Sequence, residues 1–231
     1  MRLLAACLLV FLPPSFVCAQ QSADVAIVLA VDSSSSVNFS EFDLQMRGIA
    51  EAFRSAEVQR AIQAGPSGAV AISLVQWSGP LQVQQAVKWR LVTTPDSAEA
   101  LAKEIEDTPR YFSVGSTAIG QALAFSARMF QKLPWSAGRR VIDISGDGAN
   151  TDNPPVGPAR EAVLQQGITI NGLPIQAQEV DIDQYYRDNI IGGYGAFMEV
   201  ARDYEAFRQA MTRKLIREIR ADPLISRLER D

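Results

Sequence analysis

The sequence predicts an α/β fold: a doubly wound, mostly parallel six-stranded sheet with one antiparallel edge strand and helices on both faces. Three observations carry this. Apolar runs of strand length alternate with stretches of helical periodicity along the chain, the pattern of parallel strands joined by crossover helices. One connection, through Gly79-Pro80, is too short for a crossover and calls for an antiparallel hairpin. The first apolar run, Val25-Ala26-Ile27-Val28-Leu29-Ala30-Val31, ends on Asp32, followed by Ser34 and Ser36. Polar groups gathered at a strand's carboxyl end are where open sheets of this kind bind ligands.

The elements follow in order. The first strand covers about 24–31 and the first helix about 41–62. Ser40 and Asp43 resemble a capping box, Phe39 and Leu44 can staple the entry, and Phe42, Met46, Ile49, Phe53 and Ala56 form one apolar stripe. Pro66-Ser67-Gly68 turns into a strand at about 69–77, and a third strand at about 85–92 follows the short link. A helix at about 96–106 precedes another that begins near Thr117 and carries Ile119, Leu123, Ala127 and Phe130 on one face. Arg139 to Ser145 is the fourth strand, about 156–166 a helix, and Ile168 to Leu173 the fifth strand. Pro174 to Arg187 reads as irregular or weakly helical, and Ala196 to Val200 as a sixth strand. The last helix, about 204–220, turns Tyr204, Phe207, Met211, Leu215 and Ile219 inward and closes at Asp222-Pro223.

Composition narrows the chemistry. The 231 residues, 47% apolar and 21% charged with net charge −4, suit one domain with a sizeable core and do not suggest a nucleic-acid partner. Residues 1–19 read as a secretory signal peptide: Arg2, the apolar stretch Leu3 to Leu12, and Val17-Cys18-Ala19 before a cleavage point at Gln20. The apolar stretch is short and broken by Pro13 and Pro14, so it does not read as a membrane anchor, and the mature chain, 20–231, has no transmembrane segment in this reading. Leu4-Ala5-Ala6-Cys7 looks like a lipoprotein box but lies too near the start to have an apolar region before it. The expected location is periplasmic or extracellular. Both cysteines, Cys7 and Cys18, fall in the leader, and the chain has no His. That removes thiolate sites, Ser-His-Asp triads, His general acid-base catalysis and His-ligated zinc from the mature protein.

What remains is oxygen chemistry. Asp32, Ser34 and Ser36 leave a strand end together; Thr117 lies in Gly115-Ser116-Thr117-Ala118-Ile119-Gly120, and Asp147 in Ile144-Ser145-Gly146-Asp147-Gly148. If the first and fourth strands are neighbours, both carboxylates reach one crevice, and the Thr117 loop can lie against it. Two carboxylates with three hydroxyls form a site for a hard divalent cation, Mg2+ or else Mn2+ or Ca2+. A water on such an ion is exchangeable for a carboxylate from another molecule.

These three segments resemble the von Willebrand factor A-type domain, and the resemblance covers nearly the whole mature chain in element order. Val141 to Gly148, Gly167 to Ile175, Tyr185-Tyr186 and Ile191-Gly192-Gly193 further resemble an uncharacterised bacterial group of exported A-type domains. The resemblance implies a metal-ion-dependent adhesion site (MIDAS). In it Ser34, Ser36 and Thr117 contact the ion directly, and Asp32 and Asp147 act directly or through water. It also implies strand order 3-2-1-4-5-6, which makes the first and fourth strands neighbours. Two departures stand out: Ser35 and Gly146 occupy positions where the family often has Gly and a larger residue.

The expected function is a non-enzymatic, exported protein-binding module that captures an exposed Asp or Glu of a partner protein through the ion. Alternatives are a metal-dependent, phosphatase-like hydrolase, against which Ser34 stands where a haloacid-dehalogenase pattern needs a second Asp, and a module whose ion only stabilises the fold. Tyr111, Phe112, Asn150 and Asp152 are the expected partner-facing rim. Gly148 to Pro155, rich in turn formers, frames the site. Trp77 reads as core. Asp143, inside an apolar strand, needs a buried partner such as Arg139 or Arg140. Arg208, Arg213, Lys214, Arg217 and Arg220 read as a solvated basic face on the last helix.

Overall fold

A computed structural model describes residues 21–177 and 181–220. The signal-peptide reading and the Asp222-Pro223 closure lie outside the described residues. The elements are β1 (Ser22–Asp32), α1 (Phe39–Arg54), α2 (Ala56–Gln63), β2 (Val70–Trp77), β3 (Val83–Val92), α3 (Pro95–Glu106), α4 (Ile119–Met129), β4 (Ser136–Gly146), α5 (Val156–Leu164), β5 (Thr169–Pro174), α6 (Ile182–Asn189) and α7 (Phe207–Arg220).

The sheet order is β3-β2-β1-β4-β5. β1 runs parallel to β2 and to β4, β4 parallel to β5, and β2 antiparallel to β3. The short Gly79-Pro80 link therefore makes the hairpin expected of it. Successive β1 residues alternate between two cores, as the pleat requires. Val25, Ile27, Leu29 and Val31 pack with Phe53, Phe207 and Leu215 beneath the α1, α2, α3 and α7 layer. Ala26, Val28 and Ala30 pack with Ile119, Leu123, Val163 and Tyr186 beneath α4, α5 and α6. Trp77 is buried in the second core.

Several expectations need correction. The sheet has five strands, because the segment expected as the sixth forms only isolated bridges, Gly172 with Met198 and Ile175 with Ala201. The segment lies alongside β5 without a continuous ladder.

The first helix is two helices. The Ser55 hydroxyl donates to the Ala52 carbonyl (2.8 Å) and accepts from the Val58 amide, ending α1 and capping α2 at one residue. The capping box of α1 is Asn38 with Glu41, each side chain accepting from the other's backbone amide, rather than Ser40 with Asp43. Phe39 points to solvent instead of stapling the entry.

The irregular stretch after Pro174 contains α6, which buries Ile182 and Tyr186. Lys214, expected on a solvated face, is fully buried. Its ammonium lies 2.6 Å from Asp143 Oδ1 and 2.5 Å from Glu218 Oε1, so Asp143 pairs with α7 and not with Arg139 or Arg140. Asn171 on β5 donates to Glu218 Oε1 (2.9 Å), and Arg139 donates to the Glu218 carbonyl, closing a polar cluster beneath the sheet. Burial first, then the Glu218 charge, raises the Asp143 carboxyl, to about 7, and the Lys214 charge works against that rise.

Candidate metal centre

The site forms where the winding reverses, between β1 and β4. Register pairs Ala30 with Ile144 and Val31 with Ser145, which sets Asp32 at the end of β1 beside Gly146 at the end of β4. A Cβ placed on Gly146 would lie 2.7 Å from Asp32 Oδ2 and 3.0 Å from the Tyr186 hydroxyl. Gly146 is the contact surface that lets the two strand ends approach.

Four of the five sequence-predicted ligands are joined by hydrogen bonds. The Ser34 amide donates to Asp32 Oδ1 (2.8 Å), the turn that brings the Ser34 side chain back over the strand end. Ser34 Oγ and Ser36 Oγ lie 3.1 Å apart, and Ser36 Oγ donates to Asp147 Oδ1 (2.7 Å). The Tyr204 hydroxyl donates to Asp147 Oδ2 (3.0 Å) from outside the set. Asp32, Ser34 and Asp147 are buried, Thr117 nearly so, and Ser36 half-buried.

Thr117 is brought up by its backbone. The Ser35 amide donates to the Gly115 carbonyl (3.1 Å) and the Gly115 amide to Ser35 Oγ (2.8 Å), two residues before Thr117. Thr151 clamps it from the other side: its amide donates to the Thr117 carbonyl (2.9 Å), and its hydroxyl accepts from the Thr117 amide (3.0 Å). Gly120 is required just beyond, because a Cβ there would sit 2.3 Å from the Pro154 carbonyl oxygen.

The expected rim divides. Tyr111 is exposed and Phe112 half-buried, in the loop before Gly115. Asn150 and Asp152 shape their own loop. Asn150 Nδ2 donates to the Asp152 carbonyl (2.6 Å), and Asp152 Oδ2 accepts from Ser116 Oγ (2.7 Å). That Ser116 bond holds the Asp152 carboxyl below its ordinary range.

Three further residues bear on the centre that the sequence did not assign to it. Arg110 Nη2 donates to the carbonyls of Ser33, Ser34 and Val37 (3.0, 3.0 and 2.6 Å), clamping the Asp32–Ser36 turn. Tyr204 and Tyr186 flank the carboxylates, and burial, followed by the charges of Asp32 and Asp147, pushes both phenols above their ordinary range. Only the apolar stripe signalled Tyr204, and it placed the residue as core.

Electrostatics mark the centre as short of positive charge. Asp32 Oδ2 is buried without a hydrogen-bond partner, a condition that costs free energy unless another group satisfies it. Burial, only partly offset by the bonds from Ser34, raises the Asp32 carboxyl to about 7, and the Asp147 charge adds to the rise. Among the described residues no group of three or more His, Cys, Asp and Glu side chains converges, so any ion here relies on hydroxyls. The donor set suits one. Ligands adjacent on an octahedral Mg2+ at 2.0–2.1 Å stand about 3.0 Å apart, close to the observed 3.1 Å and 2.7 Å separations.

The family model described as a protein of unknown function (DUF1194) matches residues 22–223. The chain belongs to the DUF1194 family. No curated protein matches it. Among solved structures, this DUF1194 chain is similar to proximal thread matrix protein 1 from the mussel byssus with a zinc-occupied MIDAS motif, at 17% identity and TM-score 0.63, over 87% of this chain and 48% of that one. It is similar to the pilus adhesin SpaC from Lactobacillus rhamnosus GG at 15% identity and TM-score 0.61, over 85% of this chain and 31% of that one. It is also similar to the conserved hypothetical protein BatB from Bacteroides thetaiotaomicron at 15% identity and TM-score 0.58, over 86% of this chain and all of that one. The likeness is one of fold, that of the von Willebrand factor A-type domain. The DUF1194 chain spans about half of the mussel protein and about a third of the adhesin.

Proposed function

We propose that this protein is an exported, non-enzymatic binding module that holds a divalent cation, Mg2+ or Mn2+, and uses it to capture an exposed carboxylate of a partner protein. The observation that carries the reading is the linked series Asp32–Ser34–Ser36–Asp147, with one buried Asp32 oxygen left unpartnered. Asp32, Ser34, Ser36, Thr117 and Asp147 would hold the ion. When bound, the ion supplies positive charge in an acidic crevice and a position at which a partner carboxylate can replace water.

Support from the fold is of two kinds. Strand order puts β1 and β4 side by side, so the crevice opens where doubly wound sheets take ligands. The solved structures that share the fold include a thread matrix protein of the mussel byssus with a zinc-occupied MIDAS motif and a pilus adhesin. No described helix is long and apolar enough to cross a membrane.

Calorimetry of the chain with Mg2+ and Mn2+ tests the ion. Saturable heat that is lost in Asp32→Ala is expected, and equal heats from both proteins would remove the site. A pull-down from envelope extracts, with and without chelator, tests the partner. Capture that is lost with chelator is expected. A melting temperature that rises with Mg2+ while no protein is captured would leave the ion a structural role only.

A further inference from the structure

Five large apolar side chains are exposed among the described residues, and four gather around the candidate crevice. Leu81 is 95% exposed, Phe39 71%, Val114 67% and Tyr111 42%. They come from three segments that bond to one another. The Arg110 guanidinium lies 5.1 Å over the Phe39 ring, and the backbone amide of its neighbour Tyr111 donates to Gln76 Oε1 (2.9 Å). Val114 precedes Gly115, which bonds to Ser35 inside the Asp32–Ser36 turn. Leu81 tips the Ser78–Gln82 turn, which leans on the same loop through Ser78 Oγ to the Ser116 carbonyl (3.2 Å). The fifth, Tyr194, is tied by its carbonyl to Thr169 at the start of β5, the opposite end of that strand from the crevice.

Single exposed apolar residues are ordinary, but a group of them bordering a polar centre marks an interaction face. The guanidinium of the Arg110–Gly115 loop is turned inward onto the carbonyls of Ser33, Ser34, Val37 and Phe112, so this side of the border presents its apolar side chains rather than that cation. The other side, Asn150 to Asp152, is polar and internally bonded.

Resting on the metal-site reading above, we infer that the partner is an exposed protein segment whose Asp or Glu is flanked by a large apolar side chain. The carboxylate would replace water on the ion, and its apolar neighbour would lie on Phe39, Leu81, Tyr111 and Val114. A carboxylate alone leaves that collar wet. An apolar segment alone leaves the centre unpaired.

The test uses the chain loaded with Mn2+ for calorimetry and with Mg2+ for peptide-observed NMR titration. The probes are two short peptides, one with a central Asp between Leu and Phe, the other with Asp between Ser residues, and Asn versions of both. The apolar-flanked Asp peptide is expected to bind about tenfold more tightly than the Ser-flanked one. The chelator should abolish its binding, and so should Asp→Asn in the peptide. In L81S/V114S that preference should vanish while the Mn2+ heat is unchanged, and Y194S should keep both.

Equal affinity for the two Asp peptides, or binding of neither, by a chain that does take up Mn2+ overturns the collar and leaves the metal site standing. Absence of Mn2+ heat overturns both readings. Tight binding of the apolar Asn peptide overturns the paired recognition. So does sedimentation with phosphatidylglycerol vesicles that is lost in L81S/V114S, or dimerisation that is lost in the same variant. Those last two results would give the collar to a membrane or to a second copy.

Discussion

Ser36 Oγ donates to Asp147 Oδ1 at 2.7 Å, across 111 residues of sequence. That bond joins the two strand ends that define the crevice, with Ser34 Oγ 3.1 Å away on one side and the Tyr204 hydroxyl on the other carboxylate oxygen. Ser36→Ala removes one oxygen from the set and leaves Asp147 held by Tyr204. The expected result is at least a tenfold loss of Mn2+ affinity by calorimetry. The loss of metal-free stability by urea denaturation should be only about 1 kcal/mol, the worth of one such hydrogen bond. Unchanged affinity would exclude Ser36 as a ligand.

Metal uptake should release a proton. Burial raises the Asp32 carboxyl to about 7, and a cation needs it ionised. Below that pH the proton competes with the metal, so affinity rises with pH up to about 7 and then levels. Calorimetry in buffers of different ionisation heat should give about one proton released at pH 5.5 and about none at pH 8.5.

Metal-free stability runs the other way with pH, and urea denaturation across that range measures it. The folded chain keeps protons on Asp32 and Asp143, both raised to about 7, that the unfolded chain gives up above about pH 4. Their contribution to stability is therefore complete below about pH 4 and is lost as pH rises through about 7.

The fold was legible because its signals are local and strong. Apolar runs of strand length, a short link through Gly79-Pro80 and stripes at helical spacing carried the order of nearly every element. Of the five oxygen-bearing residues proposed from the sequence, hydrogen bonds link four in the folded chain, because each stands at or just beyond the end of β1 or β4. The misses are of another kind. The segment near Met198 has strand-like composition but makes only single bridges to β5, a matter of pairing that composition does not encode. Asn38 and Ser40 both suit a cap, and which one serves depends on where Phe39 turns. Arg110 and Tyr204 act on the site through tertiary contacts from distant segments. Lys214 did carry a signal: 207, 211, 214 and 218 share helical spacing, which puts Lys214 and Glu218 on the inner stripe with Phe207 and Met211.

Lys214 is the group whose loss the core can least accommodate. Its ammonium touches Asp143 and Glu218, all three side chains being fully or almost fully buried. Lys214→Met keeps the length of the side chain but leaves two carboxylates without a cation. The expected cost is about 3–5 kcal/mol in urea denaturation, the range for breaking a buried ion pair from one side. Asp143→Asn leaves Lys214 and Glu218 as a neutral pair, so it should cost less. It should also reduce the fall in metal-free stability between about pH 4 and pH 7, because one of the two raised carboxyls is gone.

Gly146 precedes Asp147, and the crevice gives the reason it is small. A Cβ at this position would press on Asp32 from two sides, 2.7 Å from Oδ2 and 3.1 Å from Cβ, with the Tyr186 hydroxyl 3.0 Å away. Asp32 cannot retreat, since its Oδ1 is held by the Ser34 amide and its carbonyl by Gln45 Nε2. Gly146→Ala should cost about 1–3 kcal/mol as an overpacked core site and should weaken Mn2+ binding at least tenfold by displacing Asp32. Tyr186→Phe in the same chain removes one of the crowding oxygens and should restore part of both losses. If Gly146→Ala binds Mn2+ as the natural chain does, the Asp32 carboxylate is not where the ion is held.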